Sequence, residues 1–220
     1  MFPIIEKFLS IDGEGPTAGY LAAFIRFQGC NLRCHWCDTT YSFSADNVRS
    51  HETAEALYQF VKETGAHYVT LTGGEPLIQR EIGTLLSLLQ EDEALETHIE
   101  TNGSVDIAPF QQSFPRISFI VDYKLNGSGM TEQMHQNNLA VIRKTDAYKF
   151  VIAGKEDLYQ AEKVLRENDL CEKTQVFFSP VLGKMDPADM VEFLKAEKLD
   201  RVRLQLQLHK IIWHPDAKGV

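Results

Sequence analysis

The chain alternates between short apolar runs and stretches whose apolar residues recur at three- or four-residue intervals. Leu21–Phe27 is the first such run and reads as a strand buried on both faces. Residues 53–64 place Ala54, Leu57, Phe60 and Val61 on one helical face, and Gly65 supplies a C-terminal stop. Residues 67–71 form the next strand, ending in Thr72-Gly73-Gly74-Glu75-Pro76, and a helix follows through Ile82, Leu85, Leu86 and Leu89. Residues 97–100 are a third strand, stopped by Asn102-Gly103, and 117–121 a fourth that ends in Asp122-Tyr123-Lys124. The segment 130–143 is polar and weakly helical. A fifth strand covers 147–153, and the helix after it has Leu158, Ala161, Val164 and Leu165 on one side. Gln175–Pro180 is the sixth strand. Asp186 caps a helix with Pro187 at its first position and Met190, Val191 and Leu194 on its apolar side. A last strand spans 202–208, and residues 4–11 form an extra strand outside the alternation.

Strand–helix alternation at this pitch predicts a parallel sheet with right-handed crossovers. About six units are fewer than the eight of a closed barrel. The expected fold is therefore α/β: a single domain over 1–220, built as a partial, shortened (β/α)6-type barrel, with a doubly wound sheet as the alternative. In both, function gathers at the C-terminal ends of the strands. The cysteine loop after Phe27, Gly73-Gly74-Glu75-Pro76, Glu100-Thr101-Asn102-Gly103, Asp122-Tyr123-Lys124 and His209-Lys210 all fall there.

Composition narrows the partners. A net charge of −9 without a Lys/Arg-rich block argues against nucleic acid and anionic membrane. No apolar run approaches the roughly 18 residues of a membrane span, and residues 1–7 lack the pattern of a signal peptide, so a cytoplasmic enzyme is expected. Cys30, Cys34 and Cys37 crowd one loop with C-x3-C-x2-C spacing, while Cys171 stands far away. Clustered thiols without a secretion signal point to metal or redox chemistry rather than disulfides. Three thiolates on an iron–sulfur cluster leave one iron open for a small molecule. The competing reading is a structural zinc site completed by His35 or Cys171.

The C-x3-C-x2-C loop, with Trp36 before its last cysteine, resembles the radical S-adenosyl-L-methionine (SAM) superfamily. So does Gly73-Gly74-Glu75-Pro76 one strand–helix unit later. The resemblance implies a [4Fe–4S] cluster on Cys30, Cys34 and Cys37. Its open iron would chelate SAM, and one electron would cleave SAM to an adenosyl radical. Three further stretches, Ser10-Ile11-Asp12-Gly13-Glu14-Gly15-Pro16, Phe24-Ile25-Arg26-Phe27-Gln28-Gly29 and Trp36-Cys37-Asp38-Thr39, resemble the 7-carboxy-7-deazaguanine synthase family. Glu100-Thr101-Asn102-Gly103 and Gln207-Leu208-His209-Lys210 do too. That family converts 6-carboxy-5,6,7,8-tetrahydropterin to 7-carboxy-7-deazaguanine with ring contraction and loss of ammonia. The product feeds queuosine and other 7-deazapurines, and so a pathway of tRNA modification.

The resemblance implies roles residue by residue. Trp36, Cys37, Asp38, Gly74, Asp122, Tyr123 and Lys124 would contact SAM. Ile11, Asp12, Gly13, Glu14, Arg26, Thr72, Glu100 and His209 would bind the pterin, with Arg26 on its carboxylate. Thr39 would hold Mg²⁺ against the same carboxylate. No residue is assigned as general acid or base. The family also implies a homodimer and an electron donor of flavodoxin or ferredoxin type. Two features depart from the family pattern: Asp12 stands where glutamine is common, and Asp122-Tyr123 where Ser-Pro is frequent. The tail, residues 213–220, would have to close over the substrate. Two rivals remain: a radical SAM activase that makes a glycyl radical on a partner protein, and a zinc-stapled interaction module without enzymatic activity.

Overall fold

The computed structural model describes residues 1–214 and 217–220. Among them, nine strands form one sheet: β1 (Phe2–Ile11), β2 (Leu21–Phe27), β3 (Ser50–Glu52), β4 (Tyr68–Gly73), β5 (Glu96–Thr101), β6 (Ser118–Tyr123), β7 (Ala147–Ile152), β8 (Gln175–Pro180) and β9 (Val202–Leu204). Their order is β3-β1-β2-β4-β5-β6-β7-β8-β9. From β2 to β9 every pairing is parallel, as the alternation requires, and β1 is antiparallel to both β2 and β3. The ladder does not join β9 to β3, so the barrel is open.

The main helices form where the apolar spacing demands. In α1 (Ala54–Thr64), Thr53 accepts the Ala56 N–H at 3.2 Å and Gly65 ends the helix at φ 68°. The helix α2 (Ile82–Glu91) buries Ile82, Leu85, Leu86 and Leu89. Two short helices, α3 (Ala108–Ser113) and α4 (Asn138–Val141), precede α5 (Lys155–Glu167), which buries Leu158, Ala161 and Leu165. After α6 (Leu170–Lys173) comes α7 (Pro187–Ala196), capped by Asp186, which accepts the Ala188 N–H at 2.8 Å. These apolar faces share one core with every second residue of the parallel strands: Ala23, Ile25 and Phe27; Val69 and Leu71; Phe119, Val121 and Tyr123; Tyr148, Phe150 and Ile152; Val176 and Phe178. The intervening residues face the concave side, where Ile120, Ala147 and Phe177 make a separate small cluster.

Four expectations change. The alternation Leu204-Gln205-Leu206-Gln207-Leu208 suggests a strand over 202–208, but β9 stops at Leu204 and α8 (Leu208–Ile212) follows. The cause is a competing partner. Gln205 still gives its N–H to Phe178, but its side chain pairs with both backbone groups of Gly15, at 2.8 and 3.0 Å, and the Leu208 N–H goes to Gly13. The chain is drawn off the sheet and into the β1–β2 connection. Val191 is exposed rather than on the packed side of α7, because Met190 takes the position facing the sheet. The polar segment 130–143 contributes only a 3₁₀ turn at Thr131–Gln133 and α4. Finally, residues 4–11 belong to a longer strand that recruits β3 as a further edge.

Candidate active site

The concave side of the sheet and the loops at its rim enclose a cavity of about 690 Å³. The β1–β2 connection turns into it. Asp12 accepts the hydroxyls of Thr17 and Thr70 at 2.7 and 3.2 Å, and Glu14 lies 3.4 Å from Lys149. A Cβ on Gly13 would come within 2.4 Å of His209 Nδ1, so only a glycine lets that ring sit against the loop.

The cysteine loop forms the facing rim. Leu32 plugs into the core, the Arg33 guanidinium donates to the Cys30 and Leu32 carbonyls, and the Gly29 N–H binds the Ser42 carbonyl. Cys30, Cys34 and Cys37 are free, half-buried and all line the cavity. The Leu32 N–H and the Asn102 amide point at Cys30 Sγ, at 3.4 and 3.6 Å. Burial pushes the Cys34 thiol up to about 11, helped by Asp122 and the other two cysteines and opposed by Lys124; burial also raises Cys37. A metal bound by these thiols would therefore have to displace their protons. Three soft thiolates with N–H donors on sulfur fit an iron–sulfur cluster. Among the described residues no three His, Cys, Asp or Glu side chains are gathered as ligands of a single metal ion.

Gly73-Gly74-Glu75-Pro76 joins the end of β4 to this loop. A Cβ on Gly74 would lie 1.8 Å from the Gly29 carbonyl, so the two backbones meet only through glycine. The Glu75 side chain points inward, accepting from Leu77 N, Thr101 Oγ1 and Asn102 N at 3.0, 2.8 and 2.6 Å. Burial raises its pKa to about 7 against those three bonds. Glu75 thus welds the ends of β4 and β5 and leaves Gly74 as the exposed edge.

Along the concave face runs a row of charge. Arg26 donates from Nε to Glu6 at 2.7 Å, and the Tyr41 hydroxyl donates to the same oxygen at 2.9 Å. Burial works against the guanidinium charge, but Tyr41, Glu6 and Glu100 outweigh it and hold Arg26 protonated. Among the described residues its two terminal nitrogens have no hydrogen-bond partner, which leaves a fork facing the cavity. Thr72 donates to Glu100 at 2.9 Å. Lys124 is buried, donates to Asp122 at 2.7 Å and sits 5.1 Å over the Trp36 ring. Asp38 accepts from Lys210 at 2.7 Å; desolvation alone would raise its pKa, but Lys210 and Thr39 hold it below the usual carboxylate range. Thr39 Oγ1 donates to Asp38 at 2.9 Å.

Ile11, Asp12, Gly13, Glu14, Arg26, Trp36, Cys37, Asp38, Thr39, Thr72, Gly74, Glu100, Asp122, Lys124 and His209 all line the one cavity. Tyr123 is the exception. Strand parity turns its ring to the convex core, 5.6 Å from Phe150, so only its backbone is available to a ligand. Asp12 reaches the cavity wall with its carboxylate committed to Thr17, Thr70 and the Glu14 N–H, a loop-building use that an amide could serve in part. Burial, then the Glu100 charge, raise it to about 6. The tail closes part of the wall through residues 217–220, with Lys218 4.2 Å over the Tyr41 ring, while Pro215 and Asp216 lie outside the described residues.

The residues missed from sequence are Glu6, Tyr41 and Lys149; Lys210, grouped with His209 at the strand ends but given no role, reaches Asp38. Lys149 had a signal, a charge inside an otherwise apolar strand; Glu6 had none of that kind, because Lys7 stands beside it in β1. For Tyr41 there was none. Three buried polar atoms on the wall lack partners among the described residues: Glu14 Oε1, Asp122 Oδ1 and Trp36 Nε1. Such atoms suit a polar ligand.

Residues 24–119 match the family model of the radical SAM superfamily. The chain is 44% identical over 219 residues to a 7-carboxy-7-deazaguanine synthase of Clostridium acetobutylicum, with 100% of this chain and 99% of the relative covered. It is 35% identical to a protein of the same name from Chlorobaculum tepidum, over 99% and 96% of the two chains. The crystal structure of QueE from Escherichia coli shares the fold, with a TM-score of 0.70 at 24% identity over 94% of this chain and 93% of that one. Membership of the radical SAM superfamily implies a [4Fe–4S] cluster and SAM. Sequence identity along the whole chain and the charged cavity beside three clustered thiols agree: the chain belongs to the 7-carboxy-7-deazaguanine synthase family.

Proposed function

We propose that the chain converts 6-carboxy-5,6,7,8-tetrahydropterin to 7-carboxy-7-deazaguanine, contracting the ring and releasing one ammonia. The observation that carries this reading is the Arg26 fork, held by Glu6 and Tyr41 inside the cavity whose rim bears the three cysteines. A planar fork suits a carboxylate on a small substrate.

Cys30, Cys34 and Cys37 hold the [4Fe–4S] cluster. Trp36, Cys37, Asp38, Gly74, Asp122 and Lys124 bind SAM, and Tyr123 contributes through its backbone. When bound, the cluster and SAM supply the one-electron chemistry that removes a hydrogen atom from the substrate. The chain's own residues decide which hydrogen is taken. Arg26 anchors the carboxylate, and Thr39 would hold Mg²⁺, which would supply further positive charge for it. Glu100, kept in place by the Thr72 hydroxyl, accepts from the guanidine-like nitrogens at the other end of the pterin. Asp12 shapes the loop that brings Ile11, Gly13 and Glu14 to the ring, and His209 closes the side opposite Gly13. Gripping both ends of a small rigid molecule fixes its orientation, which is the protein's share of the rate. An electron donor of flavodoxin or ferredoxin type and a homodimer complete the reading.

The test is anaerobic reconstitution with iron and sulfide, followed by reductant, SAM and the carboxytetrahydropterin. Formation of 7-carboxy-7-deazaguanine with one ammonia per product is expected. For Arg26→Lys, the loss of a paired, charge-assisted contact of about 1.5–3 kcal/mol raises KM for the pterin roughly ten- to a hundredfold. SAM cleavage without deazaguanine formation, or hydrogen abstraction from a glycyl peptide instead, overturns the reading.

A further inference from the structure

The charged row on the concave face has one member without a role, Lys149. It stands in the middle of β7, whose other residues are apolar, and it is 7% exposed. Its strand neighbours Tyr148 and Phe150 point to the convex core, so Lys149 points into the cavity. Its ammonium lies 3.4 Å from Glu14 Oε2 and 4.0 Å from Asp122 Oδ2. Those two carboxylates come from opposite sides of the site. Glu14 belongs to the β1–β2 connection, next to His209. Asp122 belongs to β6 and also takes the ammonium of Lys124, which covers Trp36 of the cysteine loop.

Each carboxylate has one oxygen on a lysine; the other, Glu14 Oε1 on one side and Asp122 Oδ1 on the other, is buried without a well-formed hydrogen bond among the described residues, with the Gln207 side chain the donor nearest the Glu14 carboxylate. A ligand with N–H or O–H donors has one such oxygen to engage on each side. Engaging it fixes the carboxylate, and the fixed carboxylate fixes the ammonium. The second carboxylate is then already oriented for its own ligand. Glu100 and Asp38 add to the negative field around Lys149, and His209 faces Glu14 beside it. Without the lysine, Glu14 would lose its nearest ammonium, while Asp122 would keep only that of Lys124.

We propose that Lys149 is a positioning residue that couples the two halves of the cavity, so that SAM and the carboxytetrahydropterin bind cooperatively through it. The inference rests on the assignment of Glu14 to the pterin side and Asp122 to the SAM side. The ordering of one shared ammonium is made once, by whichever ligand arrives first, and the coupling is reciprocal by linkage.

The experiment measures dissociation constants of the reconstituted enzyme, under anaerobic conditions and without reductant, for SAM and for the carboxytetrahydropterin, each alone and with the other saturating. In the parent protein each ligand tightens the other by roughly tenfold. In Lys149→Met this factor falls to about one, while thermal melting still shows a single folded transition. Lys149→Arg, which keeps a cation between the two carboxylates, retains part of the factor. Under turnover, Lys149→Met releases more 5′-deoxyadenosine per deazaguanine, and KM rises for both ligands more than kcat falls. If the Met variant does not fold, Lys149→Gln replaces it, with the same loss expected. A coupling factor unchanged in the folded variant, or absent in the parent, overturns the inference. Glu14→Gln and Asp122→Asn separate this failure from that of the reading beneath it. They are expected to weaken the pterin and SAM respectively, and if neither does, the assignment of the two sides falls whatever Lys149→Met shows.

Discussion

Tyr123 and Phe150 are immediate neighbours of Asp122 and Lys149 on the same two strands, yet the two pairs live in different solvents. On the convex side Phe150 packs at centroid distances of 5.6 Å against a tilted Tyr123 ring and, edge to face, against Phe178, in one core with the helices. On the concave side, 4.0 Å separates an ammonium from a carboxylate, and carboxylate oxygens are left without partners. One face is mostly apolar and gains stability from burial and ring packing. The other holds charges that cost stability until ligands arrive. The alternation of a strand assigns stability to one parity and chemistry to the other.

That division can be attacked from either side. The largest effect is expected on the rim. In the proposed reading Cys34→Ser removes an iron ligand, and it is expected to abolish both iron–sulfur absorption and product formation. The unloaded protein melts almost unchanged, because this half-buried thiol contributes little packing; a large loss of stability there would contradict the division. Next comes the convex side. Phe150→Ala leaves a void among three aromatic rings and costs about 3–5 kcal/mol in denaturant titration, with KM for both ligands unchanged in the fraction that stays folded.

Asp12→Asn sharpens the comparison, because a functional-face substitution should stabilise. Burial holds the Asp12 carboxyl at about 6, above its ordinary 3.8, so the folded state binds the proton more tightly than the unfolded one. Wild-type stability therefore falls as pH rises from about 4 through about 6, and the ionised form carries the penalty above that. The amide removes this slope and gains up to about 3 kcal/mol near pH 8, an advantage that vanishes near pH 4. A pH-independent difference in chemical denaturation would refute this. The smallest effect is again on the helical side. Thr53→Ala deletes the cap of α1 and costs about 1 kcal/mol, with no change in either KM.

The same division explains what was legible in the sequence. The helices and parallel strands announce themselves, because residues such as Leu57, Leu85 and Phe150 are selected by water alone. Spacing also declared the cysteine loop, since three thiols must reach one small object. Two kinds of information were hidden. Strand parity is not visible in the three-residue motif at Tyr123: Asp122 and Lys124 face the cavity and the Tyr123 ring faces the convex core. Long-range partners were hidden too. Glu6 earns its place through Arg26 and Tyr41, and the end of β9 is set by Gly15, and nothing local at Leu206 or Gln207 reports that competitor.

The clasp between Gln205 and Gly15 joins positions 190 residues apart. It ties the cavity to the order in which the protein folds. The cysteine loop and Gly74 meet through contacts between β2 and β4, early in the chain, whereas Gly13 lacks its Leu208 and His209 contacts and Gly15 its clasp until the residues after β9 arrive. The half of the cavity assigned to SAM can thus assemble before the half assigned to the pterin. Loop closure over such a separation is slow compared with the local strand–helix units. In pulse-labelled refolding, amides of the sheet around β2 and β4 should gain protection before those of residues 12–15. A nascent chain would carry its thiols in place well before it could hold a substrate against them.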